Sequence, residues 1–306
     1  MRLIGIIVCF LLSLTPALAA CENLMISQHI YGEEVCVPAN PQRIVTLEPW
    51  MSLGMLHELG VTVAGVPMIG IQDQDLRKTM EEASVADIGH PAQPSLERII
   101  ALQPDLIIGS SHLHEPIHDK LSLLAPTLLF EPMGWKELFK QIARITGRVE
   151  AAEEALEAYE ARAAAIRKRL PQGLRVSVVR VAPMGFQLYL DGPSAYAPYR
   201  VLREAGVRRT TYETAVDDTT VKRPDWEEIS ALDGDILLYV VASGIDPGPD
   251  EDLALATVSN PLWQNLPAVQ SGRAYRVDRA TWMGFHGTVS AHRVLDDIER
   301  YILAAP

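Results

Sequence analysis

Pro94-Ser95-Leu96-Glu97-Arg98-Ile99-Ile100-Ala101-Leu102-Gln103-Pro104-Asp105-Leu106-Ile107-Ile108 returns later in the chain as Pro224-Asp225-Trp226-Glu227-Glu228-Ile229-Ser230-Ala231-Leu232-Asp233-Gly234-Asp235-Ile236-Leu237-Leu238. Pro, Glu, Ile, Ala, Leu and Asp fall in the same register in both copies. Each copy reads as a short helix opened by proline, a turn, and an apolar strand. Upstream of the first copy, Arg43-Ile44-Val45-Thr46-Leu47 reads as a buried strand, residues 51–59 as a helix stopped by Gly60, and residues 61–66 as the next strand. Strands alternating with helices form a parallel sheet with covered faces. Two related αβ units far apart in one chain predict two lobes of one design.

Between the copies, residues 148–170 contain almost no helix breaker. Ala152, Leu156, Tyr159, Ala163, Ile166 and Leu170 recur at spacings of four and three, one apolar stripe of an amphipathic helix. At ~1.5 Å per residue such a helix spans roughly 33 Å, about the width of a small domain. The expected fold is α/β, two α/β lobes with central parallel sheets joined by one long α-helix. The first lobe is expected at 21–146, the linker helix at 147–171 and the second lobe at 172–306. One stiff helix as the connection restrains the lobes to small relative movements.

The chain opens with Arg2, an apolar run over residues 3–14 and the small-residue exit Pro16-Ala17-Leu18-Ala19-Ala20, the pattern of a cleaved export signal at 1–20. The run is shorter than the ~20 residues that a bilayer span needs. A hydrophobic fraction of 48% beside 22% charged residues is that of a globular protein. A formal charge of −12 without a basic stripe excludes nucleic acid and anionic lipid as partners. Cys9 leaves with the signal, and Cys21 and Cys36 remain as an even pair in an oxidising compartment, which suggests a disulfide. Leu18-Ala19-Ala20-Cys21 also has the form of a lipobox, which would instead anchor a periplasmic protein through Cys21. Both readings stay open. Residues 23–30 and 34–37 flank Tyr31-Gly32-Glu33 as a small hairpin.

Several stretches resemble periplasmic iron–siderophore binding proteins of the helical-linker class, which includes ferric hydroxamate, ferric citrate and cobalamin binders. They are Pro41-Gln42-Arg43-Ile44-Val45-Thr46-Leu47-Glu48, the 96–108 unit, Asn260-Pro261-Leu262-Trp263-Gln264-Asn265-Leu266-Pro267-Ala268-Val269, and Gly272-Arg273-Ala274-Tyr275-Arg276-Val277. Ser290-Ala291 with Val294-Leu295-Asp296-Asp297-Ile298 continues the likeness, and from Pro261 onward it is greatest to ferric hydroxamate binders. The resemblance implies a non-enzymatic, monomeric binding protein with no intrinsic cofactor and a shallow cleft between its lobes. Its ligand would be an iron(III)–siderophore chelate, handed to the permease dimer of an ABC transporter. One surface glutamate on each lobe would meet basic residues of the permease, and by position these are Glu97 and Glu227.

In open α/β sheets, ligands sit beyond the carboxyl ends of the strands. That places Trp50, His90, His112 and His114 at the cleft from the first lobe. Met184, Tyr196 and the segment carrying Arg279, Trp282, Phe285 and His286 face it from the second. A metal chelate presents flat organic faces, which aromatic walls bury, and a charged oxygen shell, which Arg, His and hydroxyl donors contact. Trp50, Trp282 and Phe285 suit the walls, while Trp226 and Trp263 sit in patterned helical segments and read as core. Ferric hydroxamate binders carry an arginine in the segment matching His90-Pro91-Ala92 and a tyrosine where this chain has His112-Leu113-His114. Arg279, or Arg180, would supply the positive charge from the other lobe. The same scaffold admits cobalamin, haem held by His114 or His286, or a bare divalent ion at His112, His114 and His118. An exported metal-dependent hydrolase built on that histidine cluster is the enzymatic alternative, although no His-Glu-x-x-His, Gly-x-Ser-x-Gly or phosphate loop is present.

Overall fold

The computed structural model describes residues 23–245, 248 and 250–304. The export signal at 1–20 and Cys21 lie outside the described residues. Cys36 is disulfide-bonded. Among the described residues no helix is long and apolar enough to cross a membrane. The N-terminal hairpin forms with short strands, Leu24–Ile26 pairing antiparallel with Val35–Val37.

The first sheet has five parallel strands: β1 (Ile44–Thr46), β2 (Val63–Val66), β3 (Ala86–Asp87), β4 (Leu106–Ser110) and β5 (Thr127–Phe130). Their spatial order is β3-β2-β1-β4-β5. β1 and β5 are buried throughout, as a parallel sheet covered on both faces requires. The second sheet contains β6 (Arg175–Ala182), β7 (Gly185–Tyr189), β8 (Val221–Lys222), β9 (Ile236–Val241) and β10 (Ala274–Arg276), in the order β8-β7-β6-β9-β10. β6, β9 and β10 are parallel, while β7 and β8 add antiparallel pairs on one side. The tight turn at Pro183-Met184 dictates this, since a two-residue connection joins only antiparallel neighbours.

The internal echo has a structural purpose beyond its helix and strand. The Asp105 carboxylate accepts the backbone N–H groups of Gln42 (2.7 Å) and Arg43 (2.9 Å), and the Asp105 N–H returns to Arg43 O. Asp235, its counterpart, accepts the N–H of Arg175 at 2.8 Å and donates its own to Arg175 O. In each lobe the repeated aspartate thus pins the entry of the central strand to the neighbour that follows it. The helical parts differ. The first copy forms the α-helix Leu96–Leu102 behind the cap Ser95, whereas the second forms only a 3-10 turn, Glu228–Ala231. There Asp225 caps both Glu227 and Glu228, and Trp226 turns its ring onto Phe186 (4.7 Å between centroids), so the helical turn starts late.

The long helix runs over Val149–Arg167 and buries Ala152, Leu156, Tyr159, Ala163 and Ile166, the stripe read from the sequence, with Leu170 partly buried beyond its end. It packs on the first-lobe helix Trp135–Ile145 and on the helix Thr288–Asp297 near the C-terminus. Tyr159 donates to Glu204 at 2.6 Å, Lys136 bridges Glu160 and Glu204, and Arg162 pairs with Asp296 and Glu299. One apolar core, including Leu53, Phe139, Tyr159, Tyr199 and Val294, runs without a break from the first sheet's helices into the second's.

Candidate functional site

The 3-2-1-4-5 order of the first sheet reverses its winding between β1 and β4, where doubly wound folds leave a crevice at the carboxyl ends. β1 leads there into Glu48 and Trp50, and β4 into Ser110 and His112. The Glu48 carboxylate accepts the N–H groups of Trp50 (3.2 Å), Met51 (3.4 Å) and Ser52 (3.2 Å) and the Ser52 hydroxyl (2.8 Å). This carboxylate therefore holds the entry to the helix Ser52–Glu58 and fixes the backbone of Trp50.

Three neighbouring cavities follow this crevice. One of 310 Å³ is lined by Glu48, Trp50, Met51, His112, Met133 and other first-lobe residues. A second, of 510 Å³, shares Met51, His112 and Met133 and adds Trp135, with Tyr189, Tyr196 and Val221 from the second lobe. The third, of 170 Å³, shares Trp50 and adds Gln72, with Arg180, Ala242, Arg279 and Met283 across from them. Shared residues make the three a continuous groove with walls from both lobes. A further cavity of 570 Å³ is lined by Asp73, Asp75, Asp250, Glu251 and Asp278, and its arginines 276, 279 and 293 are already paired with carboxylates.

The two candidate arginines differ in their freedom. Arg279 donates to Asp250 (2.9 Å), Gly244 O (2.6 Å) and Gln72 Oε1 (2.7 Å), so its charge is compensated and it bridges the lobes. Arg180 stands near the carboxyl end of β6 and donates to Ala242 O (3.1 Å) and Gln187 Oε1 (3.3 Å), while its buried Nε has no partner. Among the described residues no carboxylate pairs with Arg180. Tyr196 is part-buried, its hydroxyl within 3.4 Å of Met283 O and its ring 5.1 Å from Tyr189. Burial pushes its phenol pKa up, so it stays protonated.

The structure brings Trp50, His112, Tyr196 and Arg279 to the groove. It places the other candidates elsewhere. Trp282 is fully buried, its indole N–H on Asp297 (2.7 Å) and its ring against Tyr199, and Phe285 packs edge-on against Trp135 at 5.3 Å. The wall role read for these two is corrected: the Gly-rich turn is a short helix, Arg279–Met283, capped by Asp278, and it drives both rings into the shared core. His114 is buried, with Nε2 2.8 Å from Pro91 O and Nδ1 at Ser110; burial lowers its pKa. It therefore does not join His112 and His118, whose ring packs on Tyr31. His286 seats its ring against Gly54 of the first lobe, 5% exposed. Met184 is 99% exposed at the hairpin tip, and His90 lies exposed on a second hairpin, its Nδ1 accepting from Ala92 N. Neither lines the groove. Among the described residues no group of three or more His, Cys, Asp or Glu could hold a metal ion.

Met51, Gln72, Met133 and Tyr189 line the groove unforeseen. Tyr189 had a signal: alternation along β7 sends Phe186 and Leu188 inward, leaving Gln187 and Tyr189 on the other face.

The family model described as periplasmic binding protein matches residues 44–281, which takes in both sheets and all the named groove residues but Met283. The chain belongs to the periplasmic binding protein family. This binding protein is 29% identical to the probable siderophore-binding lipoprotein YfiY of Bacillus subtilis, over 90% of its own length and 87% of that protein's. It is 27% identical to the achromobactin-binding periplasmic protein of Dickeya dadantii, covering 85% and 86% of the two chains. The crystal structure of Staphylococcus aureus SirA complexed with staphyloferrin B superposes with a TM-score of 0.79 at 22% identity, over 91% of this chain and 98% of that one. That likeness establishes the two-lobed fold.

Proposed function

We propose that this periplasmic binding protein captures an iron(III)–siderophore-type chelate in the groove between its lobes and delivers it to the permease dimer of an ABC importer. Arg180 carries the reading: a guanidinium without a carboxylate partner among the described residues, held between the lobes beside Trp50 in an otherwise acidic protein. Such a group needs an anionic or strongly accepting guest, and the oxygen shell of a chelate provides one. The names of the relatives support the same ligand class. No chemistry is performed; Trp50, His112, Tyr196, Arg180 and Arg279 bind and orient. The lobes are taken as 21–146 and 172–306 about the linker 147–171, the chain as exported through 1–20, and Cys21 as the partner of Cys36.

Docking through Glu97 and Glu227 has support in topology. Both are exposed, and each stands at the start of the helical element that precedes β4 or β9. A helix feeding a parallel strand begins at the carboxyl edge of the sheet, the edge that forms the groove. Consistently, Arg98 bonds Asp87 at the end of β3, and Pro224 O approaches Gly185 at the end of the β6–β7 turn. Two carboxylates flanking one mouth make a two-point electrostatic register for a basic permease surface.

Titration of tryptophan fluorescence tests the reading. Ferric hydroxamate, citrate or catecholate complexes should quench saturably, with bare zinc and haem without effect. Saturable binding of zinc or haem, with every ferric chelate inert, refutes it.

A further inference from the structure

The groove also limits the charge of its guest, an inference that rests on the chelate-binding reading above. Among the described residues the arginine and lysine side chains lining the three cavities are Arg180 and Arg279. Arg279 is neutralised by Asp250 at 2.9 Å. Arg200 reaches the rim beside Gly134 but lines none of the three, its guanidinium turned onto Pro193 O at 3.1 Å. The carboxylates of Glu48 and Glu131 line the neighbouring first-lobe cavity. Glu48 is occupied by backbone N–H groups of the following helix and is fixed in place; Glu131 is exposed. Among the described residues the groove therefore offers one positive group without a carboxylate partner and two negative ones, inside a chain of formal charge −12. Met51, Met133, Trp135, Tyr189, Tyr196 and Val221 supply an apolar and aromatic wall, interrupted by His112, Ser194 and Thr220.

We infer that the chelate bound here is neutral or singly anionic, with its metal-binding oxygens at Arg180 and an apolar or aromatic part against the Met51–Tyr196 wall. Hydroxamate-rich chelates have this charge. A tris-catecholate ferric complex, with three negative charges, does not: in a partly desolvated groove two of its charges would meet carboxylates without a counter-ion.

The native protein decides the matter at pH 8 in low salt, by tryptophan quenching with three probes. They are a neutral ferric tris-hydroxamate, a singly anionic ferric citrate–dihydroxamate, and a ferric tris-catecholate. The Kd for at least one low-charge chelate should be at least 100-fold below that for the trianion, and the gap should narrow at 0.5 M salt as screening grows. Arg180→Gln should weaken the singly anionic chelate at least tenfold and the neutral one less than threefold. Tris-catecholate binding as tight as the low-charge chelates overturns the charge inference and leaves chelate capture standing. Equal losses for both low-charge probes in Arg180→Gln overturn the role given to Arg180. Silence with all three ferric probes overturns the chelate reading, and this inference with it.

Discussion

Gly54 is where the interface between the lobes can be tested with one methyl group. It lies inside the helix Ser52–Glu58, and a Cβ added there would fall well within 3.0 Å of the Cβ, Cγ and Nδ1 of His286. Two effects oppose. Alanine in place of glycine favours a helix interior by about 1 kcal/mol. Overpacking costs about 1–3 kcal/mol, and here the opposing atoms are the root of a side chain only 5% exposed, which cannot swing aside. To reach a contact distance of about 3.5 Å the two elements must part by ~1 Å or more. That strains neighbouring interlobe bonds: Glu58 to Thr288 and Val289, Asp73 to Arg293 and Gln72 to Arg279. Weakening a few of these at about 1 kcal/mol each makes the clash win, for a net loss of ~2–3 kcal/mol. At roughly 2–4 °C per kcal/mol, Gly54→Ala should lower Tm by ~5–10 °C in calorimetry or circular dichroism. His286→Gly removes the opposing Cβ, so the double variant should melt above Gly54→Ala. A Gly54→Ala protein as stable as the native one, or a double variant no better than the single, refutes the packing argument.

Three further outcomes are expected. Glu97→Ala with Glu227→Ala should abolish chelate uptake in cells while leaving the Kd of the purified protein within about twofold (the carboxylates lie on the surface, where a pair is worth ~0–1 kcal/mol to the fold); lost affinity would refute their docking role. Asp105→Ala should lower the unfolding free energy by ~1–2 kcal/mol, read as a lower urea midpoint at constant m-value, and Asp235→Ala by less, because Asp105 accepts two strand N–H groups and Asp235 one; the reverse order would refute the strand-pinning account. Burial lowers the His286 pKa to about 4. The unfolded chain therefore takes up this proton first, so the contribution is complete above pH ~6.5 and lost as pH falls toward 4. His286→Gln should flatten the decline of Tm across that window, and an unchanged slope would show that other groups govern it.

The sequence carried the periodic parts of the molecule well. The stripe from Ala152 to Ile166 needed only helical spacing, and β1, β2, β4 and β9 needed only short apolar runs between turn signals. The repeated aspartate was visible as a match, although its partners, the entries of β1 and β6, lie about 60 residues away along the chain. Trp282 and Phe285 were misread because their surroundings are long-range: Asp297 and Tyr199 for one, Trp135 for the other. A glycine-rich stretch looks like a loop until the cap at Asp278 is recognised. His114 was misjudged for a similar reason, since its partner Pro91 is brought near by the sheet and not by spacing. Arg180 had the clearest local signal, a charge inside β6, whose other arginine, Arg175, stands at the strand's first position.

The side chains that roof the first lobe belong to the end of the chain. Phe285 covers Trp135, and the helix Thr288–Asp297 closes over the long helix. During synthesis those residues emerge after the parts of the core that they cover. Until they do, Trp135, Phe139 and Tyr159 present an open apolar surface. Loss of the last few dozen residues would thus not trim one half of the molecule but unroof the other, and the nascent chain must be shielded from its neighbours until its tail is in place.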